Sequence, residues 1–183
     1  MFEIRLILAA TLGASYGIYG PAFELCENRP LKPGGEEYLD SEKYEIRRWD
    51  LDNPENLSDL MARVNQIRRE NPALQSNHNL RFHPIDNENL LAYTKSTSDG
   101  EDVVLTVVNL DPFHVQSGWV ALPTEEYLAD AGKSYQMHDL LTGARFMWHG
   151  RRNYIELDPH YSPAHIFRLR RRVRSERDFD YFM

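Results

Sequence analysis

The sequence predicts an α+β chain, in which a helix- and loop-rich N-terminal part leads into an antiparallel β-sandwich. Two periodicities carry this reading. Apolar residues recur at helical spacing in 1–13 and in 57–70, whereas after Ala73 the period changes to two. Eight short apolar runs then follow at close spacing, which argues for antiparallel pairing. Composition adds a third observation: 42% apolar residues, with ten Tyr, eight Phe and three Trp in 183 residues, suffice for a packed core.

The N-terminus, MFEIRLILAATLGASYG, superficially resembles a secretory leader. Glu3 stands where basic residues belong, and the apolar stretch is too short to cross a bilayer. The preferred reading is a buried helix with Phe2, Leu6, Ala9, Ala10 and Gly13 on one face, running into a strand in ASYGIYGP. Such a helix needs a cover that the first thirty residues do not supply, so the chain reads as beginning inside a larger fold.

Residues 20–56 are rich in Gly, Pro and Asn and predict a long loop holding a turn of helix; loops of this length are commonly functional. A helix follows, capped by Asn56 or Ser58, with Leu57, Leu60, Met61, Val64, Ile67 and Arg68 at helical spacing. Pro72 disfavours helical geometry at Asn71 and ends it. The strands are expected in LRFHPI, NLLAYTKS, DVVLTVVNLD, SGWVAL, YQMHDLLTG, RFMWHG, NYIELDP and HIFRLR, divided by turns such as SDGED and LTGA. No internal repeat or low-complexity linker interrupts them.

Charge and side-chain chemistry narrow the function classes. A net charge of −7 disfavours a general nucleic-acid partner, which wants a basic face. The basic run RLRRRVRSER, 168–177, reads as a solvated end. One cysteine, Cys26, excludes an intramolecular disulfide and a cysteine-rich zinc site, and is compatible with a reducing compartment. The seven histidines show no HxH or HExxH spacing, so no metal is expected. Ser41 has no nucleophile elbow around it. Tyr16 and Tyr19 suit either a site wall or core packing. Trp119 and Trp148 are candidate sugar-stacking rings, against the commoner fate of burial.

Residues 38–50, YLDSEKYEIRRWD, set Lys43 beside Tyr44 between two glutamates. An ammonium suits a phosphate dianion, and a phenol can donate to it or pack on a sugar face. The plainer alternative is that Lys43 pairs with a neighbouring glutamate and Tyr44 is core. Residue types alone leave both open.

YGIYGPAFELCENRP, EEYLDSEKYEIRRWD, LMARVNQIRRENPALQ, RFHPIDNENLLAYTK and VVLTVVNLDP closely resemble the C-terminal part of the α-1,4-glucan:maltose-1-phosphate maltosyltransferase family of the α-amylase superfamily. The IRRENPAL phrase is moderately specific; ELCENRP and EYLDSEKYEIR are much more so. The resemblance runs from about residue 1 to about 170. It implies that residues 1–13 are the seventh helix of a (β/α)₈ barrel, 15–19 its eighth strand and 57–70 its closing helix. The last βα unit of the barrel would thus occupy 1–75, the antiparallel β-sandwich C-terminal domain 76–170, and a charged tail 171–183.

The same resemblance places Lys43 and Tyr44 at the donor site, against maltose 1-phosphate. It implies an α-1,4-glucan acceptor, a homodimeric full-length enzyme, a cytoplasmic setting, and no cofactor, nucleic acid or membrane. A retaining transfer needs two carboxylates flanking the glycosidic carbon. In the family these, and a third aspartate, lie after barrel strands four, five and seven, ahead of the part matched here. Glu24, Glu27, Asp40 and Glu42 do not match those motifs, so the chain is given no catalytic residue and is expected to be inactive alone. The alternatives are a freestanding β-sandwich carbohydrate-binding or interaction module, and the C-terminus of another superfamily member such as a trehalose synthase or branching enzyme.

Overall fold

Period-two alternation in the C-terminal runs builds two antiparallel sheets. The computed structural model describes residues 1–39, 41, 46–128 and 134–170. Its strands are β1 (Arg81–His83), β2 (Leu90–Ser96), β3 (Val103–Asn109), β4 (Gln116–Ala121), β5 (Tyr135–Asp139), β6 (Arg145–Trp148), β7 (Arg152–Leu157) and β8 (Ala164–Arg170). One lies in each run read from the sequence. Six form a sheet in the order β1-β2-β3-β8-β5-β6, and β4 pairs with β7 in a second sheet. All pairings are antiparallel.

Strand β3, VVLTVVN, is buried along its whole length and divides two apolar cores. Val103, Leu105 and Val107 face β4 and β7, meeting Val120, Ile155 and Leu157. Val104 and Val108 face the helices, meeting Ile4, Ile7, Val64 and Ile67. A run apolar at nearly every position belongs in a sheet covered on both sides, and that is where it sits. The order is therefore helices, six-stranded sheet, two-stranded sheet.

The helices are α1 (Phe2–Leu12), α2 (Gly20–Glu24), α3 (Ser58–Glu70) and the short α4 (Thr124–Tyr127). Asn56 Oδ1 accepts the Ser58 N–H at 3.0 Å and so meets one donor at the start of α3. Asn71 leaves helical geometry at φ −123° and ψ 96° before Pro72, as the proline requires. The 3₁₀ turn that follows, Pro72–Gln75, is pinned to the sheet: Asp102 Oδ2 accepts the Ala73 N–H at 3.0 Å, and Arg168 Nε lies 3.2 Å from Asp102 Oδ1.

Two expectations need correction. Helix α1 buries Ile4, Leu6, Ile7, Ala10 and Thr11, not the face through Phe2, Ala9 and Gly13. It contacts both α3 and β3, and two neighbours bury a broader, rotated stripe. Residues 15–19 form no strand, and among the described residues no strand pairs with their backbone. Polar groups hold this segment instead. Arg68 of α3 donates to the carbonyls of Ala10, of Gly13 at 3.1 Å and of Ala14 at 2.6 Å, capping the C-terminus of α1. The guanidinium also lies 5.0 Å from the Tyr16 ring centroid, and Tyr16 OH donates to Asn65 Oδ1 at 2.6 Å.

Strand β2 reaches the same helix end from the sheet. Tyr93 OH lies 2.6 Å from Thr11 Oγ1, which itself donates to the Ile7 carbonyl. Lys95 is only 1% exposed, and its Nζ donates to the Leu12 carbonyl at 3.2 Å. Burial, with Arg68 as a second cause, lowers the Lys95 pKa. Among the described residues no helix is long and apolar enough to cross a membrane.

Candidate functional site

Lys43 and Tyr44 lie outside the described residues, but the chain on both sides of them is described. The approach begins at α2, where Pro21 occupies the first turn and Cys26, at φ 56°, breaks the helix. The Glu27 N–H returns to the Ala22 carbonyl at 2.8 Å, turning the chain outward. An arm follows, held by Leu31 N–H to Glu37 O at 2.8 Å and Leu39 N–H to Arg29 O at 2.6 Å, with Pro30 bridged to Tyr38. Its tip turns at Gly34, whose φ of 73° suits glycine, and Gly35 N–H closes on Lys32 O at 2.9 Å.

Arg47 draws the far side of the loop back to this arm. Its Nη2 meets Glu27 Oε2 at 2.6 Å and its Nη1 donates to the Leu39 carbonyl at 3.1 Å. Its carbon Cζ lies 4.0 Å from the Trp49 ring centroid and 5.9 Å from that of Tyr38. The Glu27 pKa is lowered, first by the Arg29 N–H and then by Arg47. Leu39 and Arg47, which flank residues 40–46, are therefore tied to each other, and Arg47 to Glu27.

Beside this tie is a cleft of about 390 Å³ lined by Tyr19, Glu36, Glu37, Tyr38 and Ser41. Tyr19 and Tyr38 meet edge to face, 6.1 Å between centroids, and Tyr38 and Trp49 are 6.5 Å apart. Ser41 Oγ donates to Glu37 Oε1 at 3.0 Å. Aromatic ring faces and carboxylates suit a sugar's C–H faces and hydroxyls. The described lining residues include no cation.

Of the other residues singled out, Tyr19 lines this cleft whereas Tyr16 serves the α1 cap. Trp148 is 6% exposed and packs against Tyr135 and Phe167, which removes it as a stacking platform. Trp119 is 46% exposed. His83 bonds Thr94 Oγ1 at 2.8 Å, and His165 meets Asp139 Oδ2 at 3.0 Å. Among the described residues no group of three or more His, Cys, Asp and Glu could hold a metal. Sequence reasoning missed the Glu27–Arg47 tie and the Tyr38–Trp49 wall. The available signal was that the two most specific phrases, ELCENRP and EYLDSEKYEIR, each supply one partner of the ion pair.

Comparison with known proteins bears on these same phrases. Residues 82–169 match the family described as "GLGE, C-terminal". An α-1,4-glucan:maltose-1-phosphate maltosyltransferase of Chlorobaculum tepidum is 49% identical over 174 residues, covering 92% of this chain and 26% of that protein. The protein of the same name from Myxococcus xanthus is 42% identical over 181 residues, covering 99% of this chain and 27% of that one. The chain thus spans about a quarter of the length of these relatives. In fold it is similar to an Anoxybacillus α-amylase, with a TM-score of 0.63 at 15% identity over 95% of this chain and 33% of that one. A maltogenic α-amylase of Thermotoga neapolitana gives 0.60 at 12% identity, over 91% and 36%. By sequence the chain belongs with the α-1,4-glucan:maltose-1-phosphate maltosyltransferases, matching their C-terminal part and carrying their C-terminal family domain over residues 82–169.

Proposed function

We propose that the chain serves as the C-terminal part of a transferase that moves a maltosyl unit from maltose 1-phosphate to the non-reducing end of an α-1,4-glucan. Phosphate leaves, and the anomeric configuration is retained. Lys43 and Tyr44 contact the donor in this reading, with the ammonium opposite the phosphate and the phenol donating to it or packing on the sugar. Residues 1–75 act as the last unit of a (β/α)₈ barrel, whose other parts supply the two carboxylates of the retaining mechanism. Without them the chain is inactive. The full-length enzyme is a homodimer.

The observation that carries this reading is the tie between the two phrases most specific to the family. Glu27 and Arg47 form an ion pair near a cleft lined by Tyr19, Tyr38 and two glutamates, a composition that suits a sugar. A phosphate-release assay with maltose 1-phosphate and a malto-oligosaccharide tests it, on this chain and on a version extended upstream to a complete barrel. Phosphate from the extended protein alone is expected. No release from either protein would overturn the reading.

A further inference from the structure

The β4–β7 sheet presents an outer face that the donor-site reading does not use. Alternation sends Val120, Ile155 and Leu157 into the core and leaves Trp119 and Tyr154 outside, 46% and 50% exposed. They are direct cross-strand partners, with ring centroids 5.7 Å apart and planes inclined at 63°. Turning these rings inward would turn the core residues outward, so the register fixes the rings in place. Contiguous exposed aromatics edged by polar residues are a feature of binding surfaces.

Their polar surroundings are also built. Asp86 Oδ1 accepts the backbone N–H of Trp119 at 2.5 Å, while Asp86 Oδ2 accepts from Arg152 Nη2 at 3.1 Å. The Arg152 guanidinium lies 5.8 Å from the Trp119 ring centroid. Tyr154 OH donates to Glu156 Oε2 at 3.0 Å. Gly118 admits Asp86 to this position, since a Cβ there would stand 3.0 Å from Asp86 Oδ1. Planar hydrogen-bonding groups thus surround two aromatic rings, and charges of both signs alternate across the face.

We propose that this face binds an α-glucan chain, with Trp119 and Tyr154 as the stacking platform and Asp86, Arg152 and Glu156 bonding the hydroxyls. A pyranose offers an apolar C–H face edged by hydroxyls, the complement of a ring edged by planar polar groups. The mixed charge favours a neutral polyhydroxyl ligand over a phosphate or a nucleic acid. Rings inclined to each other suit the curvature of α-1,4 linkage better than a flat β-linked chain. The choice of an α-glucan rests on the maltosyltransferase reading. The platform itself lies across the six-stranded sheet from α1 and α3.

Titration of the 183-residue chain with maltoheptaose, followed by calorimetry, tests the proposal, with cellohexaose as the β-linked control. Trp119→Ala and Tyr154→Ala should each weaken maltoheptaose binding by about tenfold or more. Phe113→Ala, at an aromatic 72% exposed elsewhere, should leave it unchanged. Circular dichroism of each variant separates lost binding from lost fold, and Tyr154→Phe, which keeps the ring, should retain most of the affinity. Maltoheptaose affinity indifferent to both alanine variants overturns the platform, as does Trp119-dependent self-association without glucan binding. Platform binding with no phosphate release from the extended protein sinks the transferase reading alone; release without glucan binding by this chain sinks the platform alone.

Discussion

Glu27 and Arg47 stand twenty residues apart in the chain and 2.6 Å apart in space. Their side chains are 21% and 24% exposed, so the pair is shielded from solvent more than an ordinary surface contact. The tie joins the described residues that flank Lys43 and Tyr44 in sequence. Arg47→Ala should cost roughly 1–2 kcal/mol locally, through the lost charge-assisted bonds and the lost stacking on Trp49. The expected readout is faster proteolytic cutting within 40–46, with little change in global melting. Because the folded Glu27 pKa is lowered, its contribution is complete above the ordinary glutamate value near 4.5 and fades as pH falls through the lower folded value. A cutting rate that ignores both the substitution and acid would remove the tie from the argument.

Lys43→Ala, placed in the extended protein, should raise the dissociation constant for maltose 1-phosphate by the equivalent of roughly 1.5–3 kcal/mol, the worth of one charge-assisted contact. Acceptor use at saturating donor should change far less. Unaltered donor affinity alongside failing acceptor use would move Lys43 away from the donor.

Arg68→Ala strips the donors from three carbonyls at the end of α1 and uncovers Tyr16. Urea unfolding should show a loss of about 2–3 kcal/mol. Arg68→Lys should recover only part of it, since one ammonium cannot reproduce the planar fork. Equal stability of the lysine variant and the native chain would contradict this account.

Lys95 tests the cost of a buried cation. Its folded pKa is lowered, so the folded state binds fewer protons than the unfolded one. Stability should therefore rise with pH between that lowered value and the ordinary 10.5. Lys95→Met should abolish this alkaline gain while changing stability near neutrality by about 1 kcal/mol or less. Lys95→Glu, which would bury a carboxylate against the Leu12 carbonyl, should cost roughly 3 kcal/mol or more. Melting curves at pH 8 and pH 10 decide the matter.

His83 predicts the acid limb. Burial first, with Arg81 second, lowers its pKa from 6.5 to about 4. A depressed histidine contributes fully above the unfolded value and progressively less as pH falls from 6.5 towards 4. Charging the buried ring therefore costs the folded state on the order of 3 kcal/mol by the acid end of that window. His83→Gln should flatten the stability profile in that window, as read by urea unfolding at stepped pH.

The strands and the helix stop were legible because each is set locally. Alternation places Trp119 out and Val120 in, and Pro72 constrains Asn71 whatever surrounds it. The orientation of α1 was not legible, because its buried face answers to α3 and β3, elements far along the chain. Residues 15–19 carry strand-like composition but have no pairing strand among the described residues, and composition cannot report a partner. In the candidate site, the sequence drew attention to Lys43 and Tyr44 through a family phrase. It did not reveal that Arg47 would turn back to Glu27, since an ion pair between two irregular segments leaves no periodic trace.

Strand β3 touches an apolar core on each side. Anyone wishing to transplant the sandwich onto another protein would have to carry Phe2–Leu12 and Ser58–Glu70 along with it. A graft cut after the 3₁₀ turn would bare Val104, Val108 and Ile166 to water and leave an adhesive module.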